Sequence, residues 1–217
     1  MDRVRSVLLA YYLFIAVADD LIDGSLCGVG EDILARFANP FVCLNEDAVC
    51  SDAEFLAELL KMHFPVSSST PIRRKFRTLH RINLQERRAG TMRAFAEARR
   101  LLGALTADVS FLLIRDHLAG DALQVRNLMR QVGAVGCLVD SIVDARDDRR
   151  AGLLSFRPSF IDWLFLCAQT FALGAKIGLR HPHLIALFAD AIADNIRDRR
   201  RSVRTTTPTE TNEVAED

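Results

Sequence analysis

Val7 to Gly24 reads VLLAYYLFIAVADDLIDG, an apolar run of twelve residues closed by Asp19, Asp20 and Asp23 just ahead of a glycine. The run has the length of a helix rather than a strand, and Gly24 is a fitting stop for it. A helix already carries partial negative charge at its C-terminal end, and Asp is a poor former of helix interiors. Neither propensity nor dipole therefore accounts for three carboxylates at this place. Something positive is expected to offset them, and the candidates are arginines or metal ions.

The same feature occurs again between Gly133 and Phe156, in GAVGCLVDSIVDARDDRRAGLLSF. At 100° per residue, Asp140, Asp144, Asp147 and Asp148 fall at about 0°, 40°, −20° and 80°, so four carboxylates share one helix face. Like charges one turn apart repel, and this stripe needs a positive partner as the first does. In the first motif Asp19 and Asp23 are one turn apart, with Tyr12, Ile15 and Leu8 behind Asp19. Behind Asp140 lie Gly136, Gly133 and Met129, and the small residues are expected to leave room for a bulky apolar ligand. Two acidic stripes, each at the end of a hydrophobic wall, suit a hard divalent cation such as Mg²⁺ holding a phosphate-bearing substrate, with hydrocarbon in the apolar space below.

The rest of the chain is read around these two helices. At 217 residues and 24.2 kDa it has enough sequence for one substantial core. Helical periodicity dominates, and the expected fold is all-α: a single-domain antiparallel bundle around a central apolar cavity. Helices are expected at about residues 3–23, 31–38, 52–63, 71–102, 106–117, 120–149, 159–179 and 183–203, with ends uncertain by about two to four residues. The domain is taken as residues 1–203, and residues 204–217, polar and without aromatics, as a disordered tail.

Composition narrows the classes. Formal charge balances at zero, which recommends no nucleic acid partner. The longest apolar stretches, Val7 to Ala18 and Trp163 to Ala175, fall short of the ~20 residues of a membrane span, so no transmembrane segment is expected. The five cysteines are odd in number and lack metal-binding spacing, so reduced thiols and a cytoplasmic location are expected.

DDLID (Asp19 to Asp23) resembles the first aspartate-rich motif of the class I isoprenoid synthases, and DSIVDARDD (Asp140 to Asp148) resembles the second motif of their squalene and phytoene synthase branch. It is more similar still to the second motif of the bacterial tetraprenyl-β-curcumene synthase-like cyclases, whose following Gly-Asp-Leu-Asn-Phe segment stands here as Gly152-Leu153-Leu154-Ser155-Phe156. The family also carries helices before its first motif, whereas Asp19 is near the start of this chain. Either the chain is a compact member, or a second subunit completes the wall as a homodimer, or part of the fold has been lost.

The resemblance implies a terpene synthase or prenyltransferase that ionises a prenyl diphosphate and releases pyrophosphate. It implies Asp19, Asp20, Asp23, Asp140, Asp144 and Asp148 as Mg²⁺ ligands, with Asp19, Asp140 and Asp144 at the centre of the chemistry. From the residues themselves, Arg87, Arg88, Arg126 and Arg130 are candidates for diphosphate oxygens, and Tyr12, Phe95, Phe111 and Trp163 for facing a carbocation. Tyr12, Gly133 and Gly136 would line the substrate space. Each arginine taken alone is more often a surface residue, and each aromatic more often core.

Three other readings stay open. The first is a chain-elongating or head-to-head prenyltransferase of the same fold. The second is an all-α nucleotide pyrophosphohydrolase, disfavoured because such sites are Glu-rich and these stripes are all Asp. The third is a non-catalytic helical binding protein in which the acidic faces are structural.

Overall fold

The computed structural model describes residues 2–23, 69–151 and 154–186, with isolated positions at 62, 189, 190 and 193; the side chains of Asp2, Ile22, Asp23 and of residues 145–151 lie outside that description. The described residues form five helices and no strand: α1 (Asp2–Asp23), α2 (Ser69–Arg87), α3 (Met92–Ile114), α4 (Ala122–Ala151) and α5 (Phe160–Arg180), with a 3-10 turn at Arg115–His117. The all-α expectation holds. The helices expected at 31–38 and 52–63, most of that at 183–203, and the tail lie outside the described residues. The chain divides into two compact units, Met1–Gly174 and Ala175–Asp217, with the boundary inside α5.

The helix ends show where local sequence acts. A single break was expected near Gly103 to Leu105, but α3 runs through it, and the real break is Arg88 to Thr91. There Thr91 is extended and its hydroxyl accepts from the Ala94 amide at 3.3 Å, an N-cap that starts α3 afresh. Asp121 caps α4 by accepting from the amides of Leu123 and Gln124. Ser159 and Asp162 form a reciprocal capping box at α5: each side chain accepts from the other's backbone amide.

Packing in the first unit centres on α3. On α1, Val7, Ala10, Tyr11, Phe14 and Ala18 recur at three- and four-residue spacing and are buried, with Tyr11 and Phe14 edge-on to Phe76 of α2. Val7, Tyr11, Phe14 and Ala18 join Ile72, Leu79, Ile82 and the C-terminal half of α3 in one core cluster. A smaller cluster gathers Met92, Phe95 and Ala96 of α3, Leu138 of α4 and Leu166 of α5, with Trp163 and Phe156 against it. Phe95 and Phe111 are thus buried in the core and Trp163 half-buried against it, and none of the three lines the cavity described below.

The α3–α4 crossing is set by two glycines. A Cβ on Gly103 would lie 2.1 Å from the Gly133 carbonyl oxygen, and a Cβ on Gly133 would lie 2.3 Å from the Gly103 oxygen. The missing side chain of Gly133 therefore admits a neighbouring backbone. Gly136, one turn on, has nothing within 4 Å of where its Cβ would stand.

On α5, Phe160, Ile161, Leu164 and Phe171 are more than half exposed. By length and composition α5 could cross a bilayer, although its polar interruptions break it into shorter apolar runs in the sequence.

Candidate functional site

Helices α1 to α4 each contribute one stripe to a common cavity of about 490 Å³. Tyr12, Ile15 and Asp19 come from α1; Leu79 and Asn83 from α2; Arg99, Leu102, Gly103 and Thr106 from α3; Gly133, Gly136, Cys137 and Asp140 from α4. The spacings are those of one helical face, and α1, α3 and α4 each end their stripe on a charge: Asp19, Arg99 and Asp140. The volume lies in the range of ~300–1,000 Å³ found for small-molecule sites.

Among the described residues, Arg99 is a positive partner of the second acidic stripe. Its Nη2 donates to Asp140 Oδ2 at 3.2 Å, its Nη1 to Glu86 Oε1 at 3.3 Å, and its Nε to Ser141 Oγ at 2.7 Å. Ser141 in turn donates to the Cys137 carbonyl at 2.9 Å, which fixes the hydroxyl as an acceptor toward the guanidinium. Burial alone would lower the Arg99 pKa, but the surrounding groups, among them Glu86, Asp140 and Asp19, reverse this and hold it above its ordinary value. Burial also pushes the Cys137 thiol up to about 11, so it is neutral at physiological pH despite the nearby guanidinium. Cys137 and Cys167 are both free thiols.

Tyr12 is the aromatic of the cavity wall. Its hydroxyl accepts from Ser110 Oγ at 3.1 Å, and its ring tilts against Tyr11 at 5.3 Å between centroids. Tyr11 itself is fully buried and donates to the Thr106 carbonyl at 3.0 Å, which satisfies the one polar atom it takes into the core.

Of the residues singled out in the sequence, Asp19, Asp140, Tyr12, Gly133 and Gly136 meet in this cavity. Asp20 is exposed and Asp144 half-buried, and neither lines it. The side chains of Asp23 and Asp148 lie outside the described residues. Arg87, Arg88 and Arg130 are not in the wall; Arg99, Glu86 and Ser141, which the sequence reading passed over, are at its charged end. Arg99 left a signal, since it stands one turn before Leu102 and Gly103 on the inward face of α3.

A second polar cluster lies nine residues further along α3. Asp108 is fully buried, with Lys75 Nζ at 2.7 Å, Arg126 Nη2 at 3.0 Å and Arg130 Nη1 at 3.9 Å. Burial would raise the Asp108 pKa, but the hydrogen bonds from Arg126 and Lys75 hold it below the usual carboxylate range. Arg126 and Arg130 are therefore committed to this aspartate.

Asp19 and Asp140 offer the oxygen donors that Mg²⁺ prefers. Among the described residues, however, no group of three or more His, Cys, Asp or Glu side chains is placed to hold a metal. The described donors fit Mg²⁺ in kind and not in number. Compared with known proteins, the chain matches no family model, no curated protein and no solved structure.

Proposed function

We propose that the chain is a class I terpene synthase that takes a prenyl diphosphate into this cavity and releases pyrophosphate, with a prenyltransferase of the same architecture as the nearest alternative. One observation carries the reading: Asp19 of the first acidic motif and Asp140 of the second line the same end of one cavity, although they are far apart in sequence. The remaining wall is largely apolar, with Ile15, Leu79, Leu102 and Ala107 available to hold hydrocarbon and exclude water. Arg99 spends three of its five N–H donors on Asp140, Glu86 and Ser141, and the other two can take diphosphate oxygens. Mg²⁺ would be the cofactor of this proposal; Asp19 and Asp140 would supply two of its oxygen ligands, and it would neutralise charge on a departing diphosphate. A cytoplasmic location belongs to the same reading.

A second reading has a specific observation in its favour. Arg99 already offsets part of the acidic charge, as it would in a non-catalytic binding protein.

The test is pyrophosphate release from purified protein given geranyl, farnesyl, geranylgeranyl and longer prenyl diphosphates, with Mg²⁺ or with EDTA, beside Asp19→Asn and Asp140→Asn. Release that needs the metal and both carboxylates supports the synthase, and the extracted products separate cyclisation from coupling. Absence of release from folded protein that still binds a prenyl diphosphate supports the second reading. Neither release nor binding refutes both.

A further inference from the structure

α1 buries one face in the core. Of its exposed residues, Arg5, Leu9, Tyr12, Leu13, Ala16 and Asp20 share a stripe about 100° wide, and Tyr12, at the edge of that stripe, also lines the cavity beside the exposed Asp19. Leu9 is 57% exposed, Tyr12 49% and Leu13 46%. Apart from the adjacent Tyr12 and Leu13, these residues recur every three or four positions, so they form a continuous seam with a hydrophobic centre, a cation at one end and an anion at the other.

The order of residues along the seam is self-complementary. Laid antiparallel against itself about a two-fold between Tyr12 and Leu13, the seam sets Tyr12 opposite Leu13, Leu9 opposite Ala16 and Arg5 opposite Asp20. Every pair occurs twice, as a two-fold interface demands. A parallel arrangement would instead set Arg5 beside Arg5 and Asp20 beside Asp20. The small Ala16 faces the larger Leu9, which lets two helix axes approach to the ~8–10 Å of ordinary helix packing.

We propose that this face of α1 is the interface of a homodimer, in which Asp20 of the partner subunit pairs with Arg5 and the partner's Leu13 covers Tyr12. Tyr12 also lies in an outer groove with Arg3, Val4, Leu8, Leu9 and His117, so the second copy closes the site on the side where the α1 wall faces solvent. The assignment gives Asp20 a role apart from Asp19, which helix geometry turns about 100° away toward the cavity. It stands whether or not the site acts on prenyl diphosphates.

One seam of about 22 Å between Arg5 and Asp20 is shorter than a standard interface provides, so dissociation in the micromolar range is expected. Sedimentation velocity from ~1 to ~200 µM tests it, with circular dichroism showing that each variant keeps its helices. Arg5→Glu and Asp20→Lys should each raise the dissociation constant roughly tenfold or more, because each reverses both symmetric pairs. The double charge swap Arg5→Glu/Asp20→Lys should bring it back toward the wild-type value. A chain that stays monomeric throughout overturns the proposal, whether or not it binds lipid vesicles. So does a dimer indifferent to the single reversals, or one that the double swap fails to restore.

Discussion

Gly103→Ala and Gly136→Ala make the same chemical change on facing helices and should move stability in opposite directions. At Gly103 the new methyl would start 2.1 Å from the Gly133 oxygen and 2.7 Å from the Cys137 Cβ. The first obstacle is backbone, which cannot rotate away, so α3 and α4 must part by roughly 1 Å. Overpacking of this kind costs about 1–3 kcal/mol or more, against about 1 kcal/mol gained from the better helix propensity of Ala. Because α3 packs on both α1 and α2 as well, it cannot shift without disturbing the Tyr11 and Phe76 contacts, and the upper end of the cost applies. The net expectation is a loss of about 2 kcal/mol. At Gly136 no atom lies within 4 Å, so only the propensity gain operates, up to about 1 kcal/mol. For a chain of this size each kcal/mol moves Tm by about 2–4 °C. Thermal melts followed by circular dichroism should therefore place Gly103→Ala several degrees below wild type and Gly136→Ala a few degrees above it. A Gly103→Ala protein that melts at or above wild type would refute the close crossing of α3 and α4. So would two variants that shift together.

Two further predictions concern the charged clusters. Asp108→Asn leaves Lys75, Arg126 and Arg130 around a neutral amide; with those cations about a quarter to two fifths exposed, the loss should be about 2–3 kcal/mol rather than the full cost of a buried pair. Because Asp108 titrates below its unfolded value, its contribution is present above about pH 4 and disappears as pH falls through the folded pKa, so the gap between wild type and variant in denaturant melts should close in acid. A gap that stays constant from pH 7 to pH 3 would count against the ion pairs. Arg99→Gln removes the cation shared by Glu86, Asp140 and Asp19, and should lower Tm by several degrees at neutral pH. Part of that loss should return on lowering the pH or adding millimolar Mg²⁺, since protons or a divalent ion then relieve the carboxylates; a variant that responds to neither would remove Arg99 from the acidic end.

How much of this was legible in the sequence depends on whether a signal is local. The apolar runs and capping residues gave α1, α4 and α5 to within a few residues. The break between α2 and α3 was misplaced because a glycine in a helical pattern has two meanings. Gly90 precedes a cap, whereas Gly103 makes room for another backbone, and only the crossing with α4 distinguishes them. The demand for a positive partner could be read from the stripes themselves. The identity of that partner could not, because Arg99 reaches Asp140 across a helix–helix contact that no local pattern encodes. Asp20 shows the opposite case: it cannot share a face with its neighbour Asp19, and helix geometry alone could have separated them.

The two polar clusters bear on why the cavity, rather than either cluster, is the better place to look for function. Both are strung on α3, about 13.5 Å apart for nine residues of helix. Around Asp108, Lys75, Arg126 and Arg130 gather on one fully buried carboxylate, and that cluster closes on itself. Arg99 instead bonds Asp140 and Glu86 at a place where Arg99, Asp140 and Asp19 all line the cavity wall, so its charges border open space rather than packed side chains alone. Taking charges out of water costs desolvation in both clusters. A cluster sealed by its own partners can recover none of that cost from a ligand, whereas one that borders a cavity can, and this is why a polar ligand should be sought at the Arg99 end.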